Sequence, residues 1–434
     1  MAQAASIGAA PVAANAIQAR AANTPTFTSK VIFDSASSFP GASIFDKPTV
    51  LAFGPDNRLY VGQFDGRIYA LTINFSTYEV TAVQVINAIY DTPNFNDNGT
   101  PATGVVGRQL VGLVFDPDST AAAPIMYVSH SDIRYAIASN DAQTDTHSGT
   151  ITRLTGPNYD QAASRKDVVT GLPRSRENHS TTGIVWNTVN PNDKWLYIGQ
   201  GSNTNNGAPS NHFSNLPEYY LSAAILRANV KDPSFTTVDV ENVTSASGLT
   251  PLAGKFEMYA TGYRNVYDMV WHSNGKLYAN NNGGNNGFGD TPGPADGCPS
   301  ATPINPGYLN DQLRVVTAGS YGGHPNPARG QCVLNGGPGY VPELLLYHDR
   351  PSTNGIMEYR AGAFEGEMTG DLIVATYGQN QDVSRIQLKA DGSVESISTL
   401  ATFRQPLDVV ADPAGTIFIA EFGGDAITIL KPAT

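Results

Sequence analysis

The chain has 434 residues, a formal net charge of −12 and only 15% Asp, Glu, Lys and Arg, against roughly a quarter in ordinary soluble domains. The acidic residues are spread along the sequence and no basic patch gathers, which argues against a nucleic-acid partner; no apolar run reaches the roughly 18 residues of a membrane helix. With 43 Gly and 29 Pro, the composition favours many turns and short strands over a helical array.

Residues 1–24 are Ala-rich, with Arg20 as their only charge. They lack the basic start and dense apolar middle of a secretory signal and are expected to be a flexible leader, with residues 25–434 forming one domain. A first strand is predicted at Phe27–Phe33. Alternating strands at Leu51–Phe53 and Leu59–Gly62, joined by Gly54-Pro55-Asp56-Asn57, then lead through Asp65-Gly66 into Arg67–Leu71, which is a β-meander. The same cadence returns at Gly112–Pro117 with Met126–Val128, Gly183–Trp186 with Leu196–Ile198, Asp268–Trp271 with Gly275–Tyr278, Gly355–Tyr359 with Gly370–Val374, and Val409–Ala420 with Gly423–Leu430.

Six such copies predict an all-β fold, a six-bladed β-propeller of four-stranded antiparallel blades, because each small sheet can bury its faces only against its neighbours. The N-terminal strand is expected to pair with the last blade and close the ring, removing an exposed edge. A pair of β-sandwiches would use similar turns. Tyr60, Tyr127, Tyr197, Tyr278 and Phe418 recur at equivalent strand positions and are assigned to the core.

Long insertions fall at 91–107, 130–149, 201–220 and 280–330, where a compact fold keeps functional loops. Cys298 and Cys332 flank the Gly/Pro/Asn-rich part of the last and are read as a disulfide, which suits a secreted or periplasmic chain. His179 lies just before the third copy. A neutral imidazole there can accept a hydroxyl proton, although a loop His satisfied by backbone groups would look the same. Loops rich in Asn and Gly offer carbonyls that suit calcium. His130, Asp132, Asp141, Asp145 and His147 have metal-compatible spacing, but Asp in such loops more often makes turn-forming hydrogen bonds. Neither Gly-x-Ser-x-Gly nor His-Glu-x-x-His occurs, so serine-hydrolase and zincin chemistry lack their usual warrants.

Six segments carry a family likeness: Arg108–Leu113, His179–Trp186, Gln200-Gly201-Ser202-Asn203, Thr261-Gly262-Tyr263-Arg264-Asn265, Asn282–Gly287 and Tyr321–Pro325. They resemble, over roughly Phe33 to Leu430, the soluble glucose and aldose sugar dehydrogenases that depend on pyrroloquinoline quinone (PQQ), with their sorbosone dehydrogenase relatives. The resemblance implies oxidation of a sugar or polyol by hydride transfer to the quinone, with electrons passing to an external acceptor. It implies His179 as catalytic base, Arg264 and Asn265 holding the quinone, and the carbonyls of Gly283 and Gly284 ligating calcium.

Other positions depart from the family pattern. Its cofactor-binding Lys falls at Gly378, its Arg-x-Arg-Asp reads Gln405-Pro406-Leu407-Asp408, and Val266 replaces the Pro after Arg-Asn. Arg108 with Gln109, Arg404, Arg174, Arg176 and Arg329 are the candidates to replace the lost cations, since a guanidinium grips a carboxylate through two hydrogen bonds. Two further functions stay open on the same scaffold: a non-catalytic propeller binding a glycan or protein through its loop face, and a calcium-assisted lactonase.

Overall fold

Short alternating segments punctuated by Gly, Pro and Asx turns produce six antiparallel sheets in the computed structural model, which describes residues 25–134, 143–244, 248–349 and 351–433. The expected leader over 1–24 lies outside the described residues, as does Asp141. Blade 1 spans Pro48–Ile86, blade 2 Arg108–Leu172, blade 3 Thr181–Thr261, blade 4 Val266–Leu346 and blade 5 Thr353–Thr402. Blade 6 takes three strands from Pro406–Pro432 and its outermost strand, Phe27–Asp34, from the other end of the chain. The N-terminal strand therefore closes the ring, as expected. Blade 2 also gains a fifth, two-residue strand, Val238–Asp239, parallel to Arg165–Leu172.

The six first strands contact one another in order around the axis, and six hydrophobic clusters fill the six wedges between adjacent blades. Between blades 6 and 1, for example, Phe33, Phe418 and Ile427 pack on Leu51, Leu59 and Tyr69. Tyr60, Tyr127, Tyr197, Tyr278 and Phe418 are all buried in these wedges, as their periodicity indicated.

Every first strand carries a register shift at the same place: Pro48/Val50, Leu110/Gly112, Thr181/Ile184, Val266/Met269, Thr353/Ile356 and Pro406/Asp408. A bulge releases backbone groups from the ladder and re-aims side chains, and here it frees them to tie one blade to the next. Thr49 Oγ1 donates to Leu110 O at 2.7 Å, Ser129 Oγ to Thr182 O at 2.6 Å, and Thr182 Oγ1 to Val266 O at 2.5 Å. Asp268 and Asp408 accept the Ile356 and Leu51 backbone N–H groups at 3.2 and 2.6 Å.

Candidate active site

Loops that precede the first strand of a blade and loops that follow its second strand emerge on the same face. On that face blades 3 and 4, with the start of blade 5, enclose a cavity of about 140 Å³. It is lined by Glu177, Asn178 and His179 before blade 3, by Arg264 and Asn265 before blade 4, and by Asn282, Gly283 and Asp311 from the 280–330 insertion. His179, Arg264, Asn265 and Gly283, separated by up to about a hundred positions, thus share one space. A larger cavity of about 350 Å³ beside blades 2 and 3 is lined by His147 and Tyr219 among others, and of the residues nominated from sequence only His147 lines it.

The His179 loop is shaped by Arg174, a fully buried guanidinium. Its Nη1 donates to the carbonyls of Ser175, Glu177 and His179 at 2.7 to 3.0 Å, while Nε and Nη2 reach Asp132 O and Arg134 O. Ser175 Oγ in turn accepts the His179 N–H at 3.0 Å. The His179 Cβ comes so close to the next loop that a Cβ on Gly201 would lie 2.8 Å from it, so glycine is required there for the close approach.

His179 Nδ1 lies 3.0 Å from both the carbonyl oxygen and the Oγ of Ser202. Ser202 Oγ gives its own hydrogen to Thr204 O at 2.6 Å, so both groups facing Nδ1 are acceptors. The proton must therefore sit on Nδ1. Nε2 then carries the lone pair, and no described residue bonds it. Burial, and next the charge of Arg264, hold the imidazole well below its ordinary 6.5, which keeps it neutral and able to take a proton. Phe213, on the short turn Asn211–Phe213, packs against the ring at a centroid distance of 5.3 Å.

Arg264 donates through Nε to Asn205 O and through Nη2 to Asn205 Oδ1, each at 2.9 Å, and more distantly through Nη1 to Asn282 O. No carboxylate among the described residues forms an ion pair with it; burial lowers its pKa to about 10 and Glu177, Asp311 and Glu218 act in the opposite direction. Asn265 Nδ2 is bonded to Asn282 Oδ1, but Asn265 Oδ1 is buried without a partner. A buried cation without a counter-ion and a buried oxygen without a donor are costly, and a bound planar anion with its own N–H groups or cation would satisfy both. These residues fit PQQ.

Gly283 gives its N–H to Asp311 Oδ1 at 2.9 Å, and a Cβ there would fall 2.0 Å from Leu309 O. Its carbonyl accepts from no described residue, whereas Gly284 O accepts the Leu309 N–H at 2.9 Å. Carbonyls of this loop can serve a hard cation. Among the described residues no three His, Cys, Asp or Glu side chains gather as a metal site. Asp132 instead pairs with Arg134 at 2.6 Å.

The other nominated arginines are engaged elsewhere. Arg108 opens blade 2 on the same face, but its donors go to His130 Nδ1, Asn94 Oδ1 and Ser148 O; neighbouring Gln109 is buried and faces Ser131. Arg404 is exposed just before blade 6. Arg176 bonds Asp97 at 2.8 Å, and Arg329 donates to the carbonyls of Tyr220, Ser222 and Ala223. Gly378 takes the place of the family Lys with its N–H on Pro351 O.

Sequence reasoning left several participants unnamed. Glu177, Asp311, Phe213 and Phe288 line the cavity, and Ser202 fixes the tautomer of His179. Beneath them Glu218, fully buried, accepts from His324 Nε2, from the backbone of Asn203 and Thr204, and from the Thr204 and Ser222 hydroxyls. Burial pushes its carboxyl up, and these bonds bring it below the ordinary value, so it is an ionised anchor for the 201–223 loop. A Glu two residues before the His was the only available signal for Glu177; nothing local marked Asp311. Cys298 and Cys332 form the disulfide expected of them.

Comparison with known proteins places the fold and the family. No curated protein matches the chain. Among solved structures, the soluble aldose sugar dehydrogenase of Escherichia coli superposes with a TM-score of 0.60 at 16% identity, over 94% of this chain and 100% of that one. The PQQ-bound aldose sugar dehydrogenase of Streptomyces coelicolor gives 0.58 at 18%, over 94% and 98%. A calcium-containing structure of a Trichoderma reesei family AA12 carbohydrate-active enzyme gives 0.58 at 12%, over 97% and 99%. At such identities these likenesses bear on the fold alone. The family model for glucose and sorbosone dehydrogenases, however, matches residues 45–429, and the chain belongs to that family.

Proposed function

We propose that the cavity oxidises a sugar or other small polyol with PQQ and calcium. The observation that carries this reading is the meeting, in one cavity, of a neutral imidazole whose Nε2 bonds no described residue and a buried guanidinium that ion-pairs with no described carboxylate. Arg264 would bind a carboxylate of the cofactor, Asn265 Oδ1 a donor or the cation, and the carbonyls of Gly283 and Gly284 the calcium. When bound, the quinone supplies a two-electron acceptor for hydride and the calcium polarises it. His179 Nε2 would take the substrate hydroxyl proton, with Nδ1–H held on Ser202 so that the lone pair stays directed at the cavity. Phe213 and the half-buried Phe288 would exclude water from that space.

Arg404, exposed on the same face outside this cavity, would belong to the rim that an external electron acceptor meets, whereas Arg108 and Gln109 are buried and engaged by neighbouring groups. The disulfide between Cys298 and Cys332 supports a secreted or periplasmic location. No described helix is long and apolar enough to cross a membrane.

An equilibrium titration tests the cofactor part. With calcium present, one equivalent of PQQ should bind with a shifted quinone absorption, and Arg264→Gln should weaken that binding about 10- to 100-fold, since a charged bond to a buried carboxylate contributes about 1.5–3 kcal/mol. No spectral shift at stoichiometric concentration would contradict the proposal.

A further inference from the structure

Three charged side chains line the cavity, Arg264, Asp311 and Glu177, and they differ in what they have left to offer. Asp311 has both oxygens engaged: Oδ1 accepts the Gly283 N–H and Oδ2 the Thr353 N–H, both at 2.9 Å. Arg264 gives three of its five N–H groups to Asn205 and Asn282 and keeps the others, with its charge, for an anion. Glu177 is different. Its Oε2 accepts the Asn178 N–H at 2.5 Å, and its Oε1 receives no hydrogen bond from any described residue. The backbone beneath it is pinned, because Glu177 O accepts from Arg174 Nη1 at 3.0 Å.

We infer that Glu177 is a substrate-binding residue that makes the cavity take neutral or amino-bearing sugars and polyols and turn away sugar acids; this rests on the sugar-oxidising reading above. Glu177 and His179 stand two positions apart on the wall of the same cavity, so a ligand held at His179 lies close to Glu177 as well. A carboxylate oxygen without a partner accepts hydroxyl hydrogens, and an ammonium more strongly still. A second carboxylate brought into the same cavity is repelled, more strongly where bound ligand displaces water. Once an anionic cofactor neutralises Arg264, the substrate meets the carboxylates of Glu177 and Asp311, and of the two Glu177 has the oxygen that accepts from no described residue.

Glucose, glucosamine and glucuronate differ chiefly in one substituent and its charge, and they serve as probes at pH 7. In the PQQ- and calcium-loaded protein, kcat/KM for glucosamine should exceed that for glucuronate by about tenfold or more, the equivalent of ~1.4 kcal/mol. Glu177→Gln, which keeps the acceptor for the Asn178 N–H, should shrink this ratio to within about threefold, mainly through KM. Glu177→Asp, which keeps the charge, should retain the preference.

Saturation-transfer NMR of the same three sugars with the same proteins reports the order of binding without turnover. An undiminished preference in Glu177→Gln, or none in the wild type, would overturn the inference while leaving sugar oxidation standing. If no sugar is oxidised, the underlying reading fails. The binding order then decides alone: glucosamine above glucuronate, and lost in Glu177→Gln, sustains the role of Glu177, and equal binding refutes it.

Discussion

His179 owes its chemistry to the two acceptors on Nδ1, which leave the lone pair on Nε2. His179→Ala should lower turnover by about two to four orders of magnitude, the range for a removed general base, with folding unchanged by circular dichroism. Its depressed pKa also sets a direction for pH. The imidazole stays neutral well into acid, so the acid limb of kcat/KM that belongs to His179 should have its midpoint below pH 6.5; a midpoint at or above 6.5 would show that burial does not govern the ring. Gly201→Ala places a methyl 2.8 Å from His179 Cβ, and overpacking of this kind costs about 1–3 kcal/mol. Turnover and Tm should fall together.

At this scale the sequence exposed His179, Arg264 and Gly283 because each stands in a recognisable local pattern. It could not expose Asp311, whose only connection to the site is a fold that brings residue 311 beside residues 283 and 353.

Among the elements, the loops carry the site and a few buried charges hold them. Arg174 bonds five carbonyls from three residues of its own loop and two of blade 2. Arg174→Met would leave those acceptors buried and unpaired, at about 1–3 kcal/mol each for the least solvated. We expect a loss of about 3 kcal/mol or more in denaturant unfolding, and a site that no longer holds His179 in place. This also explains why cationic replacements for the missing family Lys and Arg pair were hard to choose from sequence: Arg108, Arg174 and Arg329 look equally available until their donors are seen to be satisfied by neighbouring loops. The 280–330 insertion is closed by the disulfide across a separation of 34 residues. Chain entropy gives such a closure about 4 kcal/mol, so Cys298→Ser with Cys332→Ser should lower Tm and weaken calcium-dependent PQQ binding.

For the molecule as a whole, the ring was legible because hydrophobic alternation and turn chemistry repeat six times. The extra strand Val238–Asp239 was not, since a two-residue pairing leaves no periodic signal. The buried acid pair of the first strands was equally hidden. Asp268 and Asp408, on the first strands of blades 4 and 6, each accept a neighbouring blade's N–H. Burial raises Asp268 to about 7, and burial together with the Asp268 charge raises Asp408 well above its ordinary 3.8. Both folded values exceed the unfolded ones, so their stabilising contribution is complete below about pH 4 and is lost as pH rises to 7 and beyond. Asp268→Asn should therefore flatten the fall of Tm between pH 4 and pH 8, and an unchanged slope would show that the pair does not titrate in the ring.

The central claim is that this propeller brings a base and a cofactor-binding cation into one redox cavity. Sugar-dependent dye reduction by protein reconstituted with PQQ and calcium tests it most directly, measured beside His179→Ala at equal cofactor occupancy. Rapid reduction by the wild type that falls at least about a hundredfold in the variant is the predicted result. Equal rates in the two proteins, or none in the fully loaded wild type, would contradict it.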